Sequence, residues 1–240
     1  MRDKTTMTHA RTSLRVGLGV AVAVLAAFSA APARAGLVLS KVVLDMHPGR
    51  PSFDDIEIWN DGGERMYVLA EAAEILAPGK PDQLRVLRPD PSVSGLLVAP
   101  QRVVLEPGQR RTIRVSAVAV RGASDRVYRV AIKPVAGPVS AEASALKVLV
   151  GYDTLVLYRP AIPSGDLVAT REGRRLTIRN QGNTAVEIFD GKQCDAAKAD
   201  CRKLIATRLY AGARVQQDLP FDTPVEYQVS DGRRTISKRF

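Results

Sequence analysis

The chain has 240 residues, 45% of them hydrophobic and only 5% aromatic, with a formal net charge of +10. Its first 35 residues have the pattern of an export leader. Arg2, Lys4, Arg11 and Arg15 form a basic start, Val16 to Ala30 is an apolar stretch too short and alanine-rich for a membrane span, and Ala33-Arg34-Ala35 fits a small-x-small cleavage site.

Cleavage before Gly36 would leave 205 residues, enough for two domains of about 100 residues each. The leader carries five Lys/Arg and one acidic residue, so the remainder holds 30 basic and 24 acidic residues, a net of +6. Arg102, Arg110, Arg111, Arg114, Arg121, Arg126, Arg129, Arg174 and Arg175 are scattered and mostly alternate with apolar residues, as on a solvated strand face. With few aromatics for a stacking platform, this speaks against a nucleic-acid surface. No later segment approaches ~18 consecutive apolar residues, so no membrane insertion is expected after signal cleavage.

Short β patterns and turn residues fill the chain from Leu37 onward, and no amphipathic helix stands out. Leu37–Leu44 is a β-branched run that ends at Pro48-Gly49. Asp54–Trp59 alternates, with Ile56 and Ile58 inward and Glu57 outward, and stops at Asn60-Asp61-Gly62-Gly63. Met66–Ile75 follows and breaks at Pro78-Gly79, and Gly79–Gly95 is loop-like. Arg102–Leu105 leads through Glu106-Pro107-Gly108 into Arg111–Val118, where Ile113 and Val115 face inward. Arg126–Val135 puts Tyr128, Val130 and Ile132 on one face and Arg129 and Lys133 on the other.

After the small-residue loop Ala136–Ala143, residues 144–158 form the most distinctive stretch, S-A-L-K-V-L-V-G-Y-D-T-L-V-L-Y. It predicts one strand of 15 residues, long against the usual ~5–6. Leu146, Val148 and Val150 share a face opposite Lys147 and Leu149. From the pattern alone this is equally a long core strand of an ordinary sandwich.

Arg159-Pro160-Ala161-Ile162-Pro163 is a stiff linker. A second β series of six or seven strands follows to Phe240, with turns at Asn180-Gln181-Gly182-Asn183 and Asp231-Gly232. The expected fold is all-β, two sandwich domains over 36–160 and 161–240. Cys194 and Cys201 are the two cysteines; an exported chain meets an oxidising compartment, so a local disulfide is expected, with a pair of free thiols as the alternative. Once the leader is gone, His47 is the single histidine and there is no CxxC pair, which argues against a metal site and against His-dependent nucleophilic catalysis.

Four pieces in order resemble the periplasmic chaperones of the chaperone–usher pilus pathway (PapD-like). They are Ile56-Glu57-Ile58-Trp59-Asn60, the run from Leu97-Val98-Ala99-Pro100 to Val104-Leu105-Glu106-Pro107-Gly108-Gln109, Asp125-Arg126-Val127-Tyr128-Arg129-Val130, and Leu157-Tyr158-Arg159-Pro160. Asn180-Gln181-Gly182-Asn183 and Tyr210-Ala211-Gly212 are similar too. The resemblance implies two immunoglobulin-like domains set at an angle around a cleft. It implies a periplasmic chaperone that lends its long strand to pilin subunits by strand addition and delivers them to an outer-membrane usher, with no cofactor and no enzymatic activity. Leu146, Val148 and Val150 would be the donors.

One departure concerns the cleft. The family's basic pair, which grips the subunit's terminal carboxylate, would fall at Leu155 and at Val43 or Leu44, and none of these is basic. Lys41, Arg129 or Lys133 would have to replace it, unless they are ordinary solvated charges. Arg159 is expected in an interdomain salt bridge with Asp231 or Asp125.

Two other readings compete. A secreted two-domain adhesin or ligand-binding module would work through end loops such as Gly79–Gly95, but its one Trp, Trp59, falls in a strand next to core positions. A hydrolase would have only Asp54, Asp55 and Asp90 to use, at places where Asp ordinarily caps backbone.

Overall fold

Period-two alternation dominates the chain, and its structure, a computed structural model describing residues 36–136 and 149–240, is built almost wholly of strands. Residues 1–35, with the expected leader, and 137–148, with the first five residues of the expected long strand, lie outside the described residues.

Among the described residues the first sandwich has ten strands: β1 (Leu37–Leu39), β2 (Val43–Met46), β3 (Phe53–Asn60), β4 (Met66–Leu76), β5 (Leu84–Leu87), β6 (Leu96–Ala99), β7 (Arg102–Leu105), β8 (Arg110–Ala117), β9 (Arg126–Val135) and β10 (Tyr152–Tyr158). One sheet runs β1-β3-β8-β6; the other runs β2-β10-β9-β4-β5, with β7 also on β4. Ile56, Ile58, Ile113 and Val115 from the first meet Leu44, Val68, Tyr128, Val130, Ile132 and Val156 from the second, all buried in one core. Each such side chain contributes ~1.5–3 kcal/mol of burial.

The expected single run Leu37–Leu44 is divided. β1 pairs antiparallel with β3, whereas β2 has crossed to the other sheet and pairs parallel with β10. The crossing is anchored at both ends, by Ser40 N donating to Glu57 O at 2.9 Å and by Leu155 N donating to Val42 O at 2.9 Å. The stretch Gly79–Gly95 also holds more order than a loop: β5 forms the sheet edge, and Asp90 caps a single helical turn, Pro91–Ser94, by accepting from Ser92 N.

The second sandwich has eight strands rather than six or seven: β11 (Leu167–Glu172), β12 (Arg175–Asn180), β13 (Val186–Cys194), β14 (Cys201–Lys203), β15 (Thr207–Leu209), β16 (Arg214–Asp218), β17 (Glu226–Ser230) and β18 (Thr235–Arg239). The sheet β11-β12-β16 covers β14-β13-β17-β18, with β15 on β13. Leu176, Ile178, Val186, Ile188, Tyr227 and Val229 form its core. The added strand is β14, the short arm after the Cys194–Cys201 disulfide, whose cysteines face each other across β13 and β14.

The two sandwiches share one device. Asn60, at the end of β3, is fully buried; its Nδ2 donates to Glu64 O and Leu105 O, and its Oδ1 accepts from Gly62 N. Asn180, at the end of β12, does the same with Thr184 O, Leu209 O and Gly182 N. Each asparagine carbonyl also accepts from a glycine of a second turn, Gly108 or Gly212, both at φ +74. An Asn-x-Gly sequence thus closes a turn and ties it to a neighbouring strand in both halves.

Candidate functional site

β10 has unequal edges. Along β9 it pairs over its whole length, from Tyr152↔Ile132 to Tyr158↔Arg126. Along β2 it pairs only from Leu155↔Val43 to Tyr158↔Met46. Residues 152–154 therefore have no strand on that side among the described residues.

The chain leading into β10 stays close to β9. A Cβ on Gly151 would lie 2.7 Å from Lys133 Cβ and 3.0 Å from its Cα, so only glycine fits there without a shift. Just before it, Val150 is 65% exposed and Leu149 is also exposed. Counted by twos along the strand, Val150 has the parity of Val156 and Tyr158, which enter the core, yet here no core covers it. Leu146 and Val148, the other proposed donors, lie outside the described residues.

The opposite parity of β10 makes a seam with the second sandwich. Leu155 and Leu157 pack with Ile75, Val127 and Ala185, and Tyr210 covers them. Leu155, where the resemblance would place a lysine, is 3% exposed, and its register partner Val43 is apolar too. The cleft floor is therefore hydrophobic.

The three cations considered as replacements are not brought together. Lys41 sits between β1 and β2 and pairs with Asp54 at 2.9 Å. Lys133 pairs with Glu71 at 2.7 Å. Arg129, next to Leu155 in register, donates to Asp153 O at 3.1 Å, while Asp153 takes a two-pronged bond from Arg85 at 2.9 and 3.1 Å. Each cation already has a carboxylate beside it.

Arg159 is the most deeply placed charge, 2% exposed. Its Nε and Nη2 grip both oxygens of Asp45 at 2.7 and 2.8 Å. Its Nη1 donates to Thr184 Oγ1 and Ala185 O, both at 2.7 Å, and lies 3.4 Å from Asp125 Oδ2. Asp125 in turn accepts from Ala185 N at 2.5 Å and Thr184 Oγ1 at 2.8 Å. One guanidinium thereby links β2 and the residue before β9 to the strand entry of the second sandwich. Burial pushes the Asp125 carboxyl up, against the downward pull of Arg159 and the Ala185 and Thr184 hydrogen bonds.

Asp231 differs from its expected role: among the described residues it makes no ion pair with Arg159. Its carboxylate turns back to cap its own hairpin, accepting from Arg233 N and Arg234 N. The hairpin still closes the network sterically. Gly232 has φ +85, and a Cβ there would collide with Asp45 and lie 3.0 Å from His47 Nε2. Asp45 itself was invisible as a partner, since nothing in its local sequence distinguishes it from other strand aspartates.

His47 completes this junction. It is buried, its Nε2 lies 3.2 Å from Asp45 Oδ1, and neither ring nitrogen has a well-aligned hydrogen-bond partner among the described residues. Burial holds its basicity below the ordinary histidine range, only partly opposed by Asp45. Arg121 staples the same corner, donating to Met46 O, His47 O and Arg159 O while lying 4.4 Å over the Tyr158 ring.

The aspartates that a hydrolase would use have structural work. Arg114 donates two bonds to Asp55 and holds its carboxyl low, and Asp90 is kept low by its bonds from Ser92. Trp59 lies on the outer face of β3, with the parity of Glu57, and the Arg110 guanidinium is 4.5 Å over its ring.

No family model matches the chain, and no curated protein sequence matches it. Solved structures do. The class 5 fimbriae chaperone CfaA is 20% identical, with 85% of this chain and 98% of that one covered at a TM-score of 0.62. A chain of the Salmonella enterica SafA pilin–SafB chaperone complex is 15% identical, with 88% and 98% covered at 0.61. A chain of the Acinetobacter baumannii CsuC–CsuE chaperone–tip subunit pre-assembly complex is 10% identical, with 85% and 97% covered at 0.59. The chain thus has the fold of the fimbrial chaperones, a pair of immunoglobulin-like sandwiches.

Proposed function

We propose that this protein is a periplasmic chaperone of fimbrial assembly, which binds pilin subunits by lending them the strand ending in β10 and passes them to an outer-membrane usher. The observation that carries the reading is the half-open edge of β10: among the described residues, 152–154 lack a neighbour on one side, and the apolar Val150 and Leu149 stand exposed next to it. An incomplete sandwich that needs one more strand can pair with such an edge through main-chain bonds and take alternate side chains, here Leu146, Val148 and Val150, into its open core. The structural neighbours solved as chaperone–pilin and chaperone–tip subunit complexes support this use of the fold. Binding is the whole of the activity, with no bond made or broken, and the export leader would place it in the periplasm.

The hydrophobic seam at Leu155 supports a branch that does without a basic cleft pair, so main-chain pairing and apolar donors carry the affinity. Co-expression with pilin-like subunits and isolation from the periplasm tests the reading. A stoichiometric complex with a small subunit is expected, and Val148→Asp abolishes it without changing the fold. A complex that survives Val148→Asp and Val150→Asp together would overturn strand donation.

A further inference from the structure

The turn joining β4 to β5 rests on the second sandwich: a Cβ on Gly79 would sit 3.0 Å from the Tyr210 ring. Beside this contact is a cavity of about 480 Å³ lined by Lys80, Asp82, Arg179 and Arg214, with Gly79 and Gly212 in its walls. All four charged side chains are exposed, and among the described residues none of them makes an ion pair.

Arg179 and Arg214 stand directly opposite each other across β12 and β16. Like charges in that position destabilise a strand pair. The same two strands show the ordinary solution four residues along, where Arg175 faces Asp218 at 3.5 Å and also stands opposite Glu172 of β11. Charge is balanced at one end of this sheet and unbalanced at the end next to the first sandwich, where the β4–β5 turn adds Lys80. Asp82 offsets one of the three cations. A local arrangement that costs stability without an internal partner points to a partner from outside.

We infer that this junction is a docking surface for an acidic segment of a partner polypeptide. Small-molecule sites are enclosed and mostly apolar, whereas these walls are exposed charges and turn backbone. Exposed cations of this kind steer and orient an extended acidic chain. Gly212 keeps the approach open, since a Cβ there would lie 3.3 Å from Lys80 Nζ and crowd the ammonium. The surface uses elements other than the β10 edge and stands apart from strand donation.

The test uses the purified protein and a fluorescent octaglutamate peptide, with binding read by anisotropy at low and moderate salt. Lys80→Glu/Arg179→Glu/Arg214→Glu is expected to weaken binding about tenfold or more. Arg50→Glu/Arg102→Glu/Arg111→Glu, an equal change of charge at exposed positions elsewhere, leaves it within about twofold. Arg214→Glu alone weakens binding several-fold while its unfolding midpoint holds or rises, because it then faces Arg179 with opposite charge. Val150→Asp leaves peptide binding unchanged, which separates this surface from the strand edge. No binding by the unaltered protein, equal loss in both triple variants, or displacement of the peptide by equimolar inorganic phosphate would overturn the inference.

Discussion

Asp45 and Arg159 are separated by 114 residues in sequence and joined by two bonds of 2.7 and 2.8 Å. Asp45 is on β2, and Arg159 follows β10 directly; the parallel register that sets Tyr158 beside Met46 brings the two side chains to the same end of the sheet. From there the guanidinium reaches Thr184 and Ala185 of the second sandwich. Orientation of the two sandwiches thus depends on a strand that joined the sheet by crossing over from the other.

Replacing Arg159 by Ala leaves Asp45 and the buried Asp125 without their cation. Breaking a buried pair from one side costs about 3–5 kcal/mol. Urea unfolding monitored by fluorescence should show that loss, and Arg159→Lys should recover only part of it, because an ammonium cannot reproduce the fork geometry.

Stability should fall as pH drops below the ordinary histidine value of 6.5. Burial lowers the His47 pKa in the folded state, so between that lowered value and 6.5 the unfolded chain binds more protons, and acid favours unfolding. The stabilisation is complete above 6.5 and lost as pH falls through the window beneath it. Asp45 and Asp231 resist the shift, while Arg159 and Arg233 add to it. Asp125, raised by burial, acts with the opposite sign just above 3.8, where stability falls as pH rises. Thermal midpoints measured from pH 8 to pH 5 should slope downward, and His47→Gln should flatten that slope; an unchanged slope would exclude His47 as its source.

Asn60→Ala and Asn180→Ala should each destabilise by about 1–3 kcal/mol, since each strands buried carbonyls and a turn N–H. Because the two sites sit in separate cores, their effects in a double variant should add within about 0.5 kcal/mol. Chemical denaturation of the two single variants and the double variant decides it.

Leu155→Lys should not create a working basic cleft. The position is walled by Leu157, Ile75, Val127 and Ala185, so an ammonium there loses its hydration with no carboxylate among these neighbours. Leu155→Ala should cost about 2–5 kcal/mol, and Leu155→Lys at least as much. A Leu155→Lys protein as stable as the parent would show that the seam opens to solvent.

Reduction of Cys194–Cys201 should destabilise the second sandwich. The bridge spans seven residues, and opening so short a loop costs about 2–3 kcal/mol in chain entropy. Denaturation with and without reductant measures it.

Much of the architecture was legible in the residue order because strands and turns are local. Alternation of Ile56 with Ile58 and of Tyr128, Val130 and Ile132 names buried faces without knowledge of any partner. Asn60 and Asn180 announce turns for a local reason, their side chains folding back on the glycine two residues ahead. Arg159 was singled out through the resemblance carried by Leu157-Tyr158-Arg159-Pro160, with Asp125 as one of its two candidate partners. Partnership between distant strands was not legible. The division of Leu37–Leu44 between two sheets, the choice of Asp45 over Asp231 and the meeting of Lys80 with Arg179 and Arg214 all depend on register between segments far apart in the chain. Local periodicity determines which way a side chain faces; only the folded sheets decide what it meets, because a register is selected by the burial of both strands at once.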